Sequence, residues 1–81
     1  MRKLEFYSTT ACHLCELAEA MLRQQIPSEA MEIELVDISE SDLLIREYGE
    51  RIPVLKFTDS GAELGWPFSE EDLQLFLNGS G

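Results

Sequence analysis

The sequence predicts an α/β domain in the order β-α-β-α-β-β-α, a mixed four-stranded sheet flanked by three helices. Three observations lead there. Strand-like and helix-like runs alternate along almost the whole of the 81 residues. The first strand–helix–strand run calls for a parallel pair joined by a right-handed crossover. The last two strand-like runs are separated by little more than Asp59-Ser60-Gly61, a turn that makes them an antiparallel hairpin.

The elements follow in order. Leu4-Glu5-Phe6-Tyr7 alternates apolar with polar and then ends in two aromatics, as a strand does. Ser8-Thr9-Thr10 supplies turn and capping hydroxyls. Leu14, Leu17, Ala18, Met21 and Leu22 then recur with helical period, with His13, Glu16, Glu19, Arg23 and Gln24 opposite them; Pro27 is expected to end this helix. Met31, Ile33 and Leu35 alternate with Glu32 and Glu34, and Val36 and Ile38 continue a second strand. Ser39 is the expected N-cap of the next helix, with Asp42 as its capping-box partner and Ile38 and Leu43 as a staple. That helix should bury Leu43, Leu44, Ile45 and Tyr48 and stop at Gly49 in a left-handed C-cap. Val54–Thr58 and Ala62–Trp66 are the hairpin strands. Ser69 with Asp72, and Phe68 with Leu73, repeat the capping logic for a last helix whose apolar face is Leu73, Phe76 and Leu77. Glu70, Glu71 and Asp72 suit the positive end of that helix. One domain over residues 1–78 is expected, with 79–81 as a flexible tail.

Composition bounds the function. Hydrophobic residues make up 44% and charged residues 27%, as in a folded domain. Six Lys and Arg oppose sixteen Asp and Glu, a formal charge of −10. Such a surface repels nucleic-acid phosphates and anionic lipid, so neither is expected as a partner. No apolar run approaches the roughly 18 residues of a membrane span. Glu5 interrupts the N-terminal stretch before any apolar core of a secretory signal, so a cytoplasmic location is expected.

The two cysteines, Cys12 and Cys15, lie where a strand gives way to an amphipathic helix. A bond between them would close too short a loop to constrain the unfolded chain much, so the pair reads as chemistry rather than scaffolding. A helix N-terminus favours a thiolate, which suits Cys12 as nucleophile. Cys15, one turn on and close to the buried face, suits a resolving thiol. A structural zinc site needs four ligands, and only His13 could add to the pair, so no metal site is expected. Two inert core cysteines would have no reason to stand at a helix start. His13 as an imidazolium would favour the thiolate, whereas Glu16 would oppose it. In Arg51-Ile52-Pro53-Val54 the proline precedes a strand, which most often marks only a rigid turn. Arg51 is one of six basic residues; it either meets a substrate carboxylate or pairs with a surface acid. The aromatics Phe6, Phe57, Trp66 and Phe76 read as packing, and Tyr7 as packing or as a wall of the site.

With these residues in view, the chain resembles the thioredoxin superfamily, and within it the glutaredoxin-like branch, over about residues 3–77. The resemblance lies in Phe6-Tyr7-Ser8, Cys12-His13-Leu14-Cys15-Glu16 and Gly49-x-Arg51-Ile52-Pro53-Val54-Leu55, which are similar to small bacterial glutaredoxin-like proteins of unassigned role. It implies a thioredoxin-like fold, a cis Pro53 against the cysteines, and an Ile52 backbone that pairs with substrate. His13, Arg51, Ile52 and Pro53 are thereby the candidate substrate-binding residues, with Cys12 and Cys15 catalytic. Gly65-Trp66-Pro67 departs from the Gly-Gly of glutaredoxins and puts bulk where glutathione needs a close backbone approach. Weak glutathione binding is therefore expected. His-Leu replaces the Pro-Tyr of the dithiol branch, and Phe6 stands where thioredoxins carry a buried acid.

The expected function is that of a thiol–disulfide oxidoreductase or small electron carrier maintaining cellular thiol redox state. It needs no cofactor, because the dithiol itself carries two electrons. It is expected to act as a monomer on protein or small-molecule disulfides. The rivals are a redox-inactive module that holds a peptide along Ile52 beside Pro53, and a metal carrier.

Overall fold

A computed structural model describes residues 2–26 and 31–80. Its elements are β1 (Arg2–Ser8), α1 (His13–Gln25), β2 (Met31–Asp37), a 3-10 turn (Ile38–Glu40), α2 (Asp42–Tyr48), β3 (Val54–Phe57), β4 (Glu63–Gly65) and α3 (Glu70–Leu75), followed by a π-helical turn (Phe76–Ser80). Pro27, the expected end of the first helix, lies outside the described residues, as does Gly81; the helix ends at Gln25 with Ile26 as C-cap.

The sheet order is β2-β1-β3-β4. β1 and β2 run parallel, with Ser8 opposite Asp37, and β3 is antiparallel to β1, with Val54 opposite Tyr7. β4 closes the hairpin, with Gly65 opposite Val54. Gly61 turns it at φ +78°, a left-handed conformation that glycine adopts at no steric cost. Ser8, Asp37, Val54 and Gly65 therefore mark one end of the sheet. The cysteine loop and α1 leave from that end, and so does the segment leading to α3. This is the mixed α/β architecture expected from the sequence.

The strand alternation builds two cores. Leu4, Phe6, Leu55 and Phe57 point toward α1 and α3, where they meet Cys15, Ala18, Leu22, Ile26, Phe68, Leu73 and Phe76. The Phe57 and Phe76 rings stack at 4.8 Å. Tyr7 and Val54 point the other way and pack with Ile38 and Tyr48 under α2.

Several local expectations are corrected. The buried stripe of α1 is Cys15, Ala18 and Leu22, while Leu14 and Leu17 remain 45% and 47% exposed. Seating Cys15 against the sheet rotates those leucines outward, and the small Ala18 at the centre allows the close approach. Cys12, not Ser8, Thr9 or Thr10, caps α1. The second helix starts two residues later than expected. Asp37 accepts the Ser39 N–H at 2.9 Å and its hydroxyl at 2.7 Å, drawing Ile38–Glu40 into the 3-10 turn. Ser41 is then the true cap, its hydroxyl accepting the Leu44 N–H at 3.3 Å. That shift leaves Leu43 and Ile45 exposed, while Tyr48 is buried and Leu44 half-buried. Gly49 is right-handed (φ −54°, ψ −33°) rather than left-handed, and a side chain there would collide with the Ile45 carbonyl oxygen. β4 spans Glu63–Gly65, shorter than the run expected. The Ser69–Asp72 capping box at α3 is present in both directions, at 3.0 and 3.1 Å.

Candidate functional site

β1 delivers the chain to the cysteines through Ser8–Ala11. Ala11 has φ +58°, a left-handed conformation costly for a residue with a β-carbon, and it turns the backbone into α1. Cys12 is extended (φ −105°, ψ 103°), and its Sγ accepts the Cys15 N–H at 3.2 Å. A sulfur thus takes the role that a serine or aspartate oxygen usually fills at a helix start. Cys12 and Cys15 form a disulfide, with Cα atoms 5.2 Å apart. Cys12 is half-buried and Cys15 only 5% exposed, so the first cysteine is the more accessible and the second belongs to the core.

His13 and Glu16 follow on the exposed side of the same turn. The imidazole Nδ1 lies 3.9 Å from the Glu16 carboxylate, both side chains about 80% in solvent. The two groups expected to influence Cys12 in opposite senses are therefore paired loosely with each other. Asp37 belongs to the same end of the sheet. Hydrogen bonds from the Ser39 N–H, the Ser39 hydroxyl and the Thr9 hydroxyl hold its carboxyl below the usual aspartate range. Thr9 ties that charge to the loop leading to Cys12.

Pro53 is buried and its bond to Ile52 is cis, as is the Trp66–Pro67 bond, which the sequence did not suggest. Ile52 packs against both cores, and Cys12 against the core of α1 and α3. The register brings Arg51-Ile52-Pro53 to the sheet end where the cysteine loop departs. The backbone there is partly engaged. The Ile52 N–H donates to the Tyr48 carbonyl at 3.0 Å, and the Pro53 carbonyl accepts the Trp66 N–H at 3.0 Å. The Trp66 ring meets Phe68 edge-on at 5.1 Å and packs on the same core as Cys12.

Arg51 pairs with a surface acid, one of the two roles the sequence left open for it. Its guanidinium donates to Glu63 Oε1 at 2.8 Å and lies 5.1 Å above the Tyr48 ring. Glu63 Oε2 accepts the Tyr48 hydroxyl at 2.6 Å, and Tyr48 stacks on Tyr7 at 4.5 Å, whose own hydroxyl donates to Glu5 at 2.8 Å. The hydrogen bond to Glu63 leads burial in pushing Tyr48 up to about 12, and burial leads the bond to Glu5 in raising Tyr7. The Tyr48 bond, followed by Arg51, lowers Glu63. Glu63 was missed because it lies 12 residues from Arg51 and 15 from Tyr48, with no periodicity joining them; Tyr48, three residues before Arg51, was read only as part of the buried face of the second helix. An open depression of 670 Å³ adjoins Arg51 at the end of α2, but its lining, Ile45–Glu47 and Gly49–Arg51, includes neither cysteine. Among the described residues, no three His, Cys, Asp or Glu side chains gather as a metal site. Among those residues, too, no helix is long and apolar enough to cross a membrane.

Comparison with known proteins extends the picture. Residues 3–78 match the family model of the glutaredoxin-like domain (DUF836). No curated protein matches. The crystal structure of target protein XcR50 from X. campestris is 35% identical with a TM-score of 0.82, covering 96% of this chain and 99% of that one. The solution structure of Ne2328 from Nitrosomonas europaea is 31% identical with a TM-score of 0.74, covering 93% and 89%. A malarial protein at 13% identity and a TM-score of 0.71, covering 96% and 94%, shares the fold alone. With its thioredoxin-like sheet, its cysteine pair at the start of α1 and a family match over nearly its whole length, the chain belongs to the glutaredoxin-like domain (DUF836) family.

Proposed function

We propose that the protein is a thiol–disulfide oxidoreductase or small electron carrier, with Cys12 attacking and Cys15 resolving. One observation carries this reading: Cys12 Sγ is the accepting atom of the α1 N-cap, half-exposed and bonded to a buried Cys15. When the pair is reduced, the Cys15 N–H and the positive helix end favour a Cys12 thiolate over the thiol. That thiolate attacks a substrate disulfide and releases one substrate thiolate, leaving a mixed disulfide. The Cys15 sulfur then attacks Cys12 Sγ, gives up its proton and releases the second substrate thiol. The protein dithiol is oxidised by two electrons and the substrate disulfide reduced by two. In the closed pair the Cα atoms lie 5.2 Å apart, within the ordinary range of a disulfide.

His13, Arg51, Ile52 and Pro53 border the substrate in this reading, and no bound cofactor takes part. Protein or small-molecule disulfides of a reducing compartment such as the cytoplasm are the proposed substrates, handled by a monomer. Glutathione is a poor fit, because Trp66 brings bulk to the site and the chain carries a charge of −10. The peptide-holding alternative is weakened by Ile52, whose N–H already donates to Tyr48 and leaves only the carbonyl for strand addition.

The test is reduction of hydroxyethyl disulfide by the pre-reduced protein. It is expected to proceed in the wild type, to vanish in Cys12→Ser, and to stall as a mixed disulfide in Cys15→Ser. Equal rates in wild type and Cys12→Ser would overturn the reading.

A further inference from the structure

We infer that the Leu14–Leu17 flank of α1 is a docking surface for a polypeptide disulfide, one that presents an aliphatic side chain and a lysine or arginine beside its cysteine. The inference rests on the redox reading above and names the substrate class of that same site.

One flank of α1 carries Leu14, Leu17, Met21 and Gln25, at helical steps of three, four and four. α3 takes up the far half of this row. The Gln74 amide donates to the Gln25 side-chain oxygen, and Met21 is half-buried against the core that α1 and α3 share. The near half is left open. Leu14, between the two cysteines, is 45% exposed, and Leu17, two residues beyond Cys15, is 47% exposed. Leu17 stands about 7.5 Å along the helix axis from Cys12. A polypeptide joined to Cys12 in a mixed disulfide therefore has its neighbouring side chains within reach of the strip, whereas hydroxyethyl disulfide has no side chain to lay on it.

Charge selects the partner. Glu16 lies between Leu14 and Leu17 in the chain, its side chain 80% in solvent. Glu70, Glu71 and Asp72 open α3 on the same face of the sheet, all exposed. The described basic side chains do not balance them. Lys3 and Lys56 alternate with Leu4 and Leu55 and so point to the opposite face. Arg46 belongs to α2 on that opposite face, and Arg51 lies over the Tyr48 ring there. Arg23, on α1 itself, is paired with Glu19 at 2.9 Å. An apolar strip set among uncompensated acids repels carboxylates and a second copy of itself. It suits an aliphatic side chain next to a lysine or arginine.

The test follows single-turnover oxidation of the pre-reduced protein by disulfide-linked dimers of three short peptides. One carries leucine and lysine beside its cysteine, one leucine and glutamate, and one glycine and lysine. In each turnover the protein dithiol loses two electrons and the peptide disulfide becomes two thiols. Each rate constant is divided by that for hydroxyethyl disulfide, which removes changes in folded fraction and in Cys12 reactivity. It is also divided by the rate of the same peptide with dithiothreitol, which removes the peptide's own reactivity. Wild type is expected to prefer the leucine–lysine peptide to both others, and its preference for lysine over glutamate is expected to shrink in high salt. Leu17→Ser is expected to lower the leucine–lysine ratio about threefold to tenfold, the factor that covering part of one leucine supplies, and to leave the glycine–lysine ratio unchanged. Leu43→Ser, which alters a 68% exposed leucine on α2, is expected to change neither. A leucine–lysine ratio unmoved by Leu17→Ser, an equal fall in Leu43→Ser, or no preference for lysine at low salt would each overturn the inference while leaving the redox reading intact. So would a dimer in sedimentation that Leu17→Ser dissolves, because the flank would then belong to a second copy of the chain. Failure of wild type to reduce even hydroxyethyl disulfide would overturn both.

Discussion

Cys12 and Cys15 differ by one turn of helix, and that turn decides their chemistry. The first sulfur stands at the helix start, half-exposed, accepting an N–H; the second lies among Leu4, Phe6 and Ala18. Limited alkylation of the reduced protein should therefore label Cys12 well before Cys15. Peptide mapping checks the order, and faster labelling at Cys15 would exchange their roles. The neighbouring Ala11 makes a second residue-scale prediction. At φ +58° its β-carbon is crowded, so Ala11→Gly should stabilise the fold by about 0.5–1 kcal/mol. Ala18→Gly, in mid-helix and buried, should instead cost about 1 kcal/mol or more. Urea denaturation measures both; a destabilising Ala11→Gly would mean that the turn into α1 is not left-handed.

At the scale of the elements, hydrogen-bond competition explains where sequence rules misplace a boundary. Ser39 has the right spacing to Asp42, but Asp37 reaches its N–H and hydroxyl first. The cap passes to Ser41. Ser41→Ala should therefore cost about 1 kcal/mol, and Ser69→Ala, which removes a two-way capping box, at least as much. Ser39→Ala should cost less than either. Chemical denaturation ranks the three, and a larger loss at Ser39 would restore it as the cap. The turn of α1 has the same character. Its apolar arc is wide enough for two orientations, and packing chooses the one that buries Cys15, leaving Leu14 and Leu17 beside the cysteines in solvent.

For the molecule as a whole, α2 is bound to the sheet through the Tyr7–Tyr48–Glu63–Arg51 array, and this makes stability depend on pH in both directions. Tyr48 is pushed from 10.0 up to about 12 in the fold. The unfolded chain therefore releases this proton first as pH rises. The contribution is whole below pH 10 and is lost as pH climbs through about 12. Tyr48→Phe should flatten part of that alkaline fall, and Tyr7, also raised, should retain the rest. Glu63 is lowered, so its contribution is present above the ordinary glutamate value and disappears as pH falls through the folded one. Thermal melts from about pH 2 to about 13 read both limbs. An alkaline limb identical in wild type and Tyr48→Phe would show that the hydroxyl is not held by Glu63.

The order of elements, the parallel and antiparallel pairings and the α3 cap were legible in the sequence because they rest on local signals. Alternation in Leu4–Tyr7 and Met31–Leu35, the short turn at Gly61, and Ser69 three residues before Asp72 each act within a few residues. The cysteine pair at a helix start was legible for the same reason. Tertiary structure alone decided which face of α1 is buried, since that depends on what the sheet presents to it. It also decided the competition of Asp37 with Ser41 for the start of α2. The surroundings of Arg51 needed the fold most of all. The Tyr48 ring is a local neighbour, three residues before Arg51, but the ion pair with Glu63 on β4 forms only when the hairpin lies beside α2, and nothing in the local sequence chooses one acid among sixteen.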